Sequence, residues 1–131
     1  MVKDEARKFA IELARAAADD RGENIVILDL RGRSPVTDYF VIATGASDRQ
    51  RRSIAEDGAT LAKEAGRVVL GISGTEQPDW VLVDFVDVVL HVFDGQTRGF
   101  YDLEMLWGDA PHVRWQRAAR AKKPADGNAP A

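Results

Sequence analysis

The chain has 131 residues, of which 45% are hydrophobic, and a formal net charge of -3 from 18 basic and 21 acidic side chains. This length favours one folded domain, and the acidic balance argues against a protein that binds RNA or DNA mainly by neutralising phosphates. The sequence contains no cysteine, which excludes disulfides and thiolate metal sites, and its longest apolar run is interrupted well short of the roughly 18 residues that cross a bilayer.

The N-terminal part predicts a helix followed by two strands. Residues 3–8 are mostly charged, unlike a signal peptide, so we expect a soluble cytoplasmic protein with no membrane partner. Apolar residues recur every three or four positions up to Ala17, which is typical of a helix with one buried face, and Gly22 is expected to cap it in the left-handed conformation. Runs rich in β-branched residues predict strands over 24–30 and 39–44, separated by a turn that contains glycine and proline.

The next segment predicts a second helix, capped by Ser47 or Asp48 and running to about Ala65. Its small and apolar side chains repeat with helical spacing and are expected to face the core, whereas its basic side chains are expected to lie in solvent. The buried side comprises Ile54, Gly58, Leu61, Ala62 and Ala65, and the solvated side includes Arg49, Arg51 and Arg52. Residues 67–72 then predict a third strand.

The last part of the folded region predicts two strands and a helix. Residues 79–93 favour two buried strands joined by a tight turn at 85–87, and residues 98–107 favour a short amphipathic helix. The order of elements indicates an α/β fold with one domain, in which a mixed sheet of about five strands packs with helices. The Ala-, Lys- and Pro-rich residues 117–131 have no apolar periodicity, so we predict a folded domain over 1–116 and a flexible tail after it.

Asp84 and Asp87 are the most plausible metal-binding pair in the sequence. Carboxylates on strands of α/β domains hold magnesium in phosphoryl-transfer enzymes, so a metal-dependent nucleotidyltransferase that uses these two residues is the alternative function. A spacing of three, however, places the two side chains on opposite faces of a continuous strand. Aspartate is common at turns, and we favour a turn role for both residues.

Other candidate chemistry is weak. His91 lies in an apolar strand, and no serine, cysteine or second histidine stands at a motif spacing from it, so a hydrogen bond across the sheet or an interface role is favoured. Residues 44–48 join a strand to a helix but lack the lysine and the glycine spacing of a phosphate-binding loop. We therefore predict no catalytic residues, no metal site and no cofactor, and a protein that is not an enzyme.

Trp80 and Trp107 stand at the ends of predicted elements. Trp80 opens a strand after a polar loop, and Trp107 ends the last helix directly before a glycine. Tryptophans in such positions either fill the core or anchor protein interfaces, and the sequence leaves both alternatives open for each of them.

The block from Asp79 to Trp107 resembles the Iojap/ribosomal silencing factor family. The resemblance is carried by D-W-x-x-x-D at 79–84, H-x-F at 91–93 and R-x-x-Y-x-L-E-x-L-W at 98–107, together with S-x-x-T-D-Y-F at 34–40. It implies a fold similar to nucleotidyltransferases but without known catalysis. It also implies binding to the fourteenth protein of the large ribosomal subunit, a block on subunit joining that represses translation, and a homodimer. Many members of the family have glycine where this chain has Val86.

The resemblance directs the search for a partner-binding surface to the hairpin and the last helix. Strand alternation places Trp80, Leu82 and Asp84 on one face, a mixture of aromatic, apolar and acidic groups that suits a basic ribosomal protein. The predicted partner-binding residues are Asp79, Trp80, Leu82, Asp84, His91, Leu106 and Trp107. Basic residues of the tail are predicted to add a weak contact with ribosomal RNA.

Overall fold

A computed structural model describes residues 3–117, and the predicted tail beyond Arg117 lies outside these described residues. The division into a folded domain and a tail therefore stays a prediction. The elements are α1 (Lys3–Asp19), β1 (Glu23–Asp29), β2 (Tyr39–Thr44), α2 (Asp48–Glu64), β3 (Gly71–Ser73), β4 (Trp80–Asp84), β5 (Val88–Phe93), α3 (Gly95–Tyr101) and α4 (Leu103–Leu106).

The strands form one mixed sheet in the order β1-β2-β5-β4-β3. β2 and β5 are parallel, and each of the other neighbouring pairs is antiparallel. β4 and β5 form the predicted hairpin, and α2 carries the chain across the sheet to β3, which runs parallel to β2. The predicted α/β fold with a five-stranded mixed sheet is confirmed.

The main core lies between one face of the sheet and the two long helices. Phe9 and Leu13 of α1, Ile54 of α2, and Val81 and Val83 of β4 belong to one buried cluster. The predicted alternation of β4 is confirmed, because Val81 and Val83 are fully buried whereas the residues between and beside them are only partly covered.

The end of α1 corrects one prediction about glycine. Arg21, not Gly22, takes the left-handed conformation, with φ of 68°. Gly22 is needed for space instead, since a Cβ there would lie 2.8 Å from the Ala17 carbonyl oxygen that accepts the Gly22 amide.

Two side chains of α2 were assigned to the wrong environment. Ser47 caps the helix as predicted, but Arg51 is 4% exposed rather than solvated, and Ala65 is exposed rather than buried. Arg51 is buried because its guanidinium donates to the carbonyls of Gly45 and Pro78 and to the Asp48 carboxylate, which supply the partners that a buried cation requires.

The third strand is shorter than predicted. Pairing with β4 covers Gly71–Ser73, preceded by one hydrogen bond from the Leu70 amide to the Asp84 carbonyl at 2.7 Å. Val68 and Leu70 are about two-thirds exposed, at 64% and 66%, so they do not supply the buried surface that the apolar run suggested. β3 is consequently a short edge strand.

The predicted helix over 98–107 is two helices. Asp102 has φ of 49° and ψ of 57° and ends α3 in the left-handed conformation, which aspartate tolerates better than most residues. Its side chain also caps α4 by accepting from the Met105 amide. The chain therefore turns sharply between Tyr101 and Leu103.

The segment after α4 covers the free edge of β1. The Asp29 amide donates to the Pro111 carbonyl at 2.8 Å, and the Val113 amide donates to the Ile27 carbonyl at 2.9 Å. Val113 enters the main core, and the Trp115 indole donates to the Ile25 carbonyl at 3.0 Å. This pairing was not predicted, because residues 108–115 carry no strand-like pattern.

Val86, in the turn between β4 and β5, has φ of 81° and is 50% exposed. A β-branched residue is strained in this region of φ, by roughly 1–2 kcal/mol. We expect Val86→Gly to raise the free energy of unfolding by about 1 kcal/mol, because the relief exceeds the entropy that glycine adds to the unfolded chain. Urea denaturation measures this change, and a loss of stability would contradict the strain argument.

Val36→Gly is the matched control. Val36 is also exposed, at 79%, but its φ is not positive. Glycine there relieves no strain, so we expect a small loss of stability, about 0.5–1 kcal/mol.

Candidate docking face

The face of the sheet opposite α1 and α2 carries the predicted partner-binding residues of the hairpin. In the strand register Leu82 of β4 stands opposite His91 of β5, and Trp80 stands opposite Phe93. Trp80 and Phe93 join a second, smaller apolar cluster that also includes Phe40, whose ring lies 4.4 Å from that of His91. We call this surface, with the side chains of α3 and α4 that border it, the docking face.

Trp80 is held in place by its neighbours while it remains partly exposed. Its ring lies 4.8 Å from that of Phe93 and 4.7 Å from that of Tyr101, and its Nε1 donates to His91 Nδ1 at 3.1 Å. The predicted hydrogen bond of His91 across the sheet is thus confirmed. Burial lowers the pKa of His91 to about 4, so the ring is neutral at pH 7 and free to accept this bond.

The two short helices supply an apolar border. Phe100, Met105 and Leu106 are exposed by 80%, 77% and 72%, and Tyr101 by 51%. Trp107 is partly buried, with its ring edge-on to that of Phe40 at 6.3 Å. Several large apolar side chains exposed together are typical of a surface that meets another protein.

The predicted site residues divide into three groups in the structure. Trp80, Leu82, Asp84 and His91 lie on one face of neighbouring strands, and His91 is buried beneath the surface. Leu106 and Trp107 belong to α4 and its C-cap. Asp79 is exposed just before β4, where its carbonyl accepts the amide of Asp94 at 2.9 Å.

Asp84 and Asp87 are engaged in the turn and its surroundings. Asp84 accepts the Val86 amide at 2.8 Å, and Asp87 pairs with Arg67 at 2.5 Å. In the part of the chain that the structure describes, no three histidine or acidic side chains are grouped so as to hold a metal ion. The geometry supports the turn role of these two aspartates rather than the metal pair.

A second pair of carboxylates, Asp20 just after α1 and Asp57 in α2, influences the stability of the fold. Burial raises the pKa of Asp20 from 3.8 to about 6, and a hydrogen bond and the negative charge of Asp57 act in the same direction. The pKa of Asp20 is higher in the folded state than in the unfolded state. The favourable contribution of its protonated form to the free energy of unfolding is therefore greatest below about pH 4 and is lost as the pH rises through 6.

We therefore expect Asp20→Asn to raise the free energy of unfolding at pH 7.5 by about 1 kcal/mol, a value reduced for solvent screening of a partly exposed group. The gain should vanish below pH 4, where Asp20 is protonated in both states. Urea unfolding at the two pH values measures it. Glu56→Gln, which removes an exposed carboxylate of α2 that is not among the groups acting on Asp20, is the control. A gain that persists at the lower pH would show that charge repulsion is not its cause.

Several residues of the docking face were not predicted from the sequence. Phe100, Tyr101 and Met105 are exposed on α3 and α4, and Phe40 of β2 lies between His91 and Trp107. The signal was present for the first three, because large apolar residues crowd a short helical segment too small to bury them. The position of Phe40 depends on the parallel pairing of β2 with β5, which no local pattern reveals.

Comparison with known proteins shows which family this chain resembles. The family described as "Ribosomal silencing factor during starvation" matches residues 3–131. The Ribosomal silencing factor RsfS of Bacillus subtilis is 47% identical over 106 residues, 80% of this chain and 90% of that protein. The chloroplastic Protein Iojap of Zea mays is 36% identical over 110 residues, 83% of this chain and 47% of that protein.

A solved structure shares the fold. The crystal structure of a protein from Chromobacterium violaceum superposes with a TM-score of 0.74 at 38% identity, and the match covers 89% of this chain and 95% of that one. Within residues 3–117, no helix has the length and apolar character needed to cross a membrane. The names of these relatives denote a regulatory factor rather than an enzyme. The chain belongs to the family of ribosomal silencing factors and Iojap proteins.

Proposed function

We propose that this protein represses translation by binding the fourteenth protein of the large ribosomal subunit through the docking face and blocking association with the small subunit. It acts as a steric obstacle and catalyses no reaction. Its proposed site of action is the cytoplasm, because a factor of this kind must share a compartment with the ribosomes that it binds.

The observation that carries the proposal is the composition of the docking face. Trp80 is anchored yet partly exposed, and its ring packs against that of the exposed Tyr101 of α3, which in turn contacts Phe100. Tryptophan and tyrosine in such settings are typical anchors of protein interfaces. Asp79 and Asp84 add negative charge around these anchors, which suits a basic protein surface and repels bare RNA.

Sedimentation with isolated ribosomal subunits tests the proposal. We expect the protein to pellet with large subunits and not with small ones, and to reduce the yield of joined ribosomes when it is added before mixing. Equal recovery with both subunits, or recovery with neither, would overturn it. Large subunits depleted of their fourteenth protein test the partner, because binding should be lost with them.

A homodimer is also proposed, from the resemblance to the family. The exposed row of Val68, Leu70 and Ile72 beside the edge strand β3 supplies an apolar surface outside the docking face. Sedimentation equilibrium measures the mass directly. A single species at monomer mass throughout the micromolar range would contradict the dimer.

We further propose a weak contact between ribosomal RNA and the basic residues from Arg117 onward, most of which lie outside the described residues. Phosphate contacts weaken steeply with salt, whereas an apolar protein contact does not. A chain truncated after Gln116 should therefore fold, should still block subunit joining, and should lose only the salt-sensitive part of its affinity. Failure of the truncated chain to block joining at both low and high salt would show that the tail is essential.

A further inference from the structure

α3 and α4 border the docking face, and none of their residues is fully buried. Each is also too short to be stable alone, since isolated helices of fewer than about 12 residues are marginal in water. The sharp turn at Asp102 separates them, so their relative orientation depends on the dihedral angles of a single residue. Contacts with the sheet must therefore determine where their exposed side chains stand.

Arg98 connects both helices to the sheet. Its side chain is only 11% exposed, its Nε donates to Glu104 Oε1 at 3.0 Å, and one terminal nitrogen donates to Thr44 Oγ1 at 2.9 Å. Arg98 belongs to α3, Glu104 to α4, and Thr44 is the last residue of β2. One guanidinium thus spans the turn at Asp102 and ties it to the sheet.

The other contacts that hold α3 and α4 against the sheet are mainly apolar. Tyr101 packs against Trp80, while Leu103 and Trp107 join the smaller apolar cluster. Such contacts favour burial but tolerate sliding, because they have little directionality. The planar fork of arginine, by contrast, requires both acceptors in defined positions.

We propose that Arg98 is a positioning residue of the docking face, which fixes α3 and α4 against the sheet so that Tyr101 and Leu106 are presented to the partner in one arrangement. This inference rests on the proposed function for its consequence in binding. Its structural part stands on the contacts of Arg98 alone. Arg98 itself touches the partner little, because it is mostly buried.

Amide hydrogen exchange of the isolated protein tests the structural part. In Arg98→Gln we expect the amides of Asp102 and Trp107, which donate within α3 and α4, to exchange at least about 10-fold faster, while those of β2 and β5 change less than about twofold. Arg49→Gln removes the same charge from an exposed position on α2 and should leave both sets unchanged. Unchanged exchange at Asp102 and Trp107, or an equal increase across β2 and β5, would overturn the proposal.

Affinity for the large subunit tests the consequence. Arg98→Gln should weaken binding about 10-fold at a temperature where the variant is folded. The double exchange Arg98→Glu with Glu104→Arg should recover only part of both protection and affinity, because it restores the ion pair but not the fork of arginine at position 98. Loss of protection without loss of affinity would show that the position of the helices is irrelevant to docking. If the unaltered protein itself fails to bind large subunits, the proposed function fails, and the exchange data still decide what Arg98 holds.

Discussion

Replacement of Trp80 by alanine is expected to weaken binding to the large ribosomal subunit by about 2 kcal/mol or more, roughly 30-fold. The indole is the best-anchored exposed group of the docking face, with ring contacts to Phe93 and Tyr101 and a hydrogen bond to His91. Its removal takes away contact area and also leaves Tyr101 without its support. Sedimentation or fluorescence titration with isolated large subunits measures the loss.

Trp115→Ala is the matched control for this variant. Trp115 is also partly buried and also donates from its indole, but to the Ile25 carbonyl at the β1 edge rather than on the docking face. Both variants should lose stability, and only Trp80→Ala should lose affinity at a temperature where both are folded. Outright unfolding of Trp80→Ala, or an equal loss of affinity in the two variants, would identify Trp80 as a core residue rather than an anchor.

Gly74→Ala is expected to cost about 3 kcal/mol of folding free energy and to weaken ribosome binding as well. Gly74 has φ of +89°, and a Cβ there would lie 2.1 Å from the carbonyl oxygen of Trp80. That oxygen belongs to the backbone at the start of β4, so it cannot move without displacing Trp80 from the docking face. Urea denaturation and subunit binding measure the two effects.

Gly32→Ala separates strain from close contact. Gly32 has a similar φ of +78°, but a Cβ there meets nothing within 4 Å. Alanine should therefore cost only the strain of a positive φ, about 1 kcal/mol, and should leave binding unchanged. Equal losses in the two variants would mean that the contact with Trp80 is relieved by a movement of the loop.

Local sequence patterns correctly predicted the elements that depend on residue type and spacing within a short stretch of the chain. β2 was predicted over its observed residues, because Tyr39–Thr44 is a continuous run of strand-forming side chains bounded by a polar turn and Gly45. The cap at Ser47 and the hairpin turn at 85–87 were likewise readable from residue type and spacing.

The errors concern residues whose environment is created by distant parts of the chain. The helical spacing predicted that Arg51 is exposed. Its burial depends on the Pro78 carbonyl as well as on nearby acceptors, and the fold brings that carbonyl close from 27 positions away. The pairing of residues 111–113 with β1 joins segments more than 80 positions apart, which no local window contains.

The residues of the docking face also divide into those that local patterns predict and those that depend on distant parts of the chain. Alternation along β4 correctly grouped Trp80, Leu82 and Asp84, since it needs only the geometry of a strand. The role of Phe40 and the break at Asp102 were not predictable in this way, because one depends on strand order and the other on a single left-handed residue.

The pairing of residues 111–115 with β1 has a consequence for folding during synthesis. The indole of Trp115 bonds a carbonyl 90 residues earlier, and Arg15 of α1 bonds the Trp115 carbonyl across 100 residues. During synthesis the outer edge of β1 stays open until almost all of the folded region has been translated, and contacts of such long sequence separation form slowly. A nascent copy therefore exposes the unpaired edge of β1 to other nascent chains for most of its time on the translating ribosome. The faster the protein is produced, the more its folding depends on rapid pairing of residues 111–113 with β1, or on chaperones.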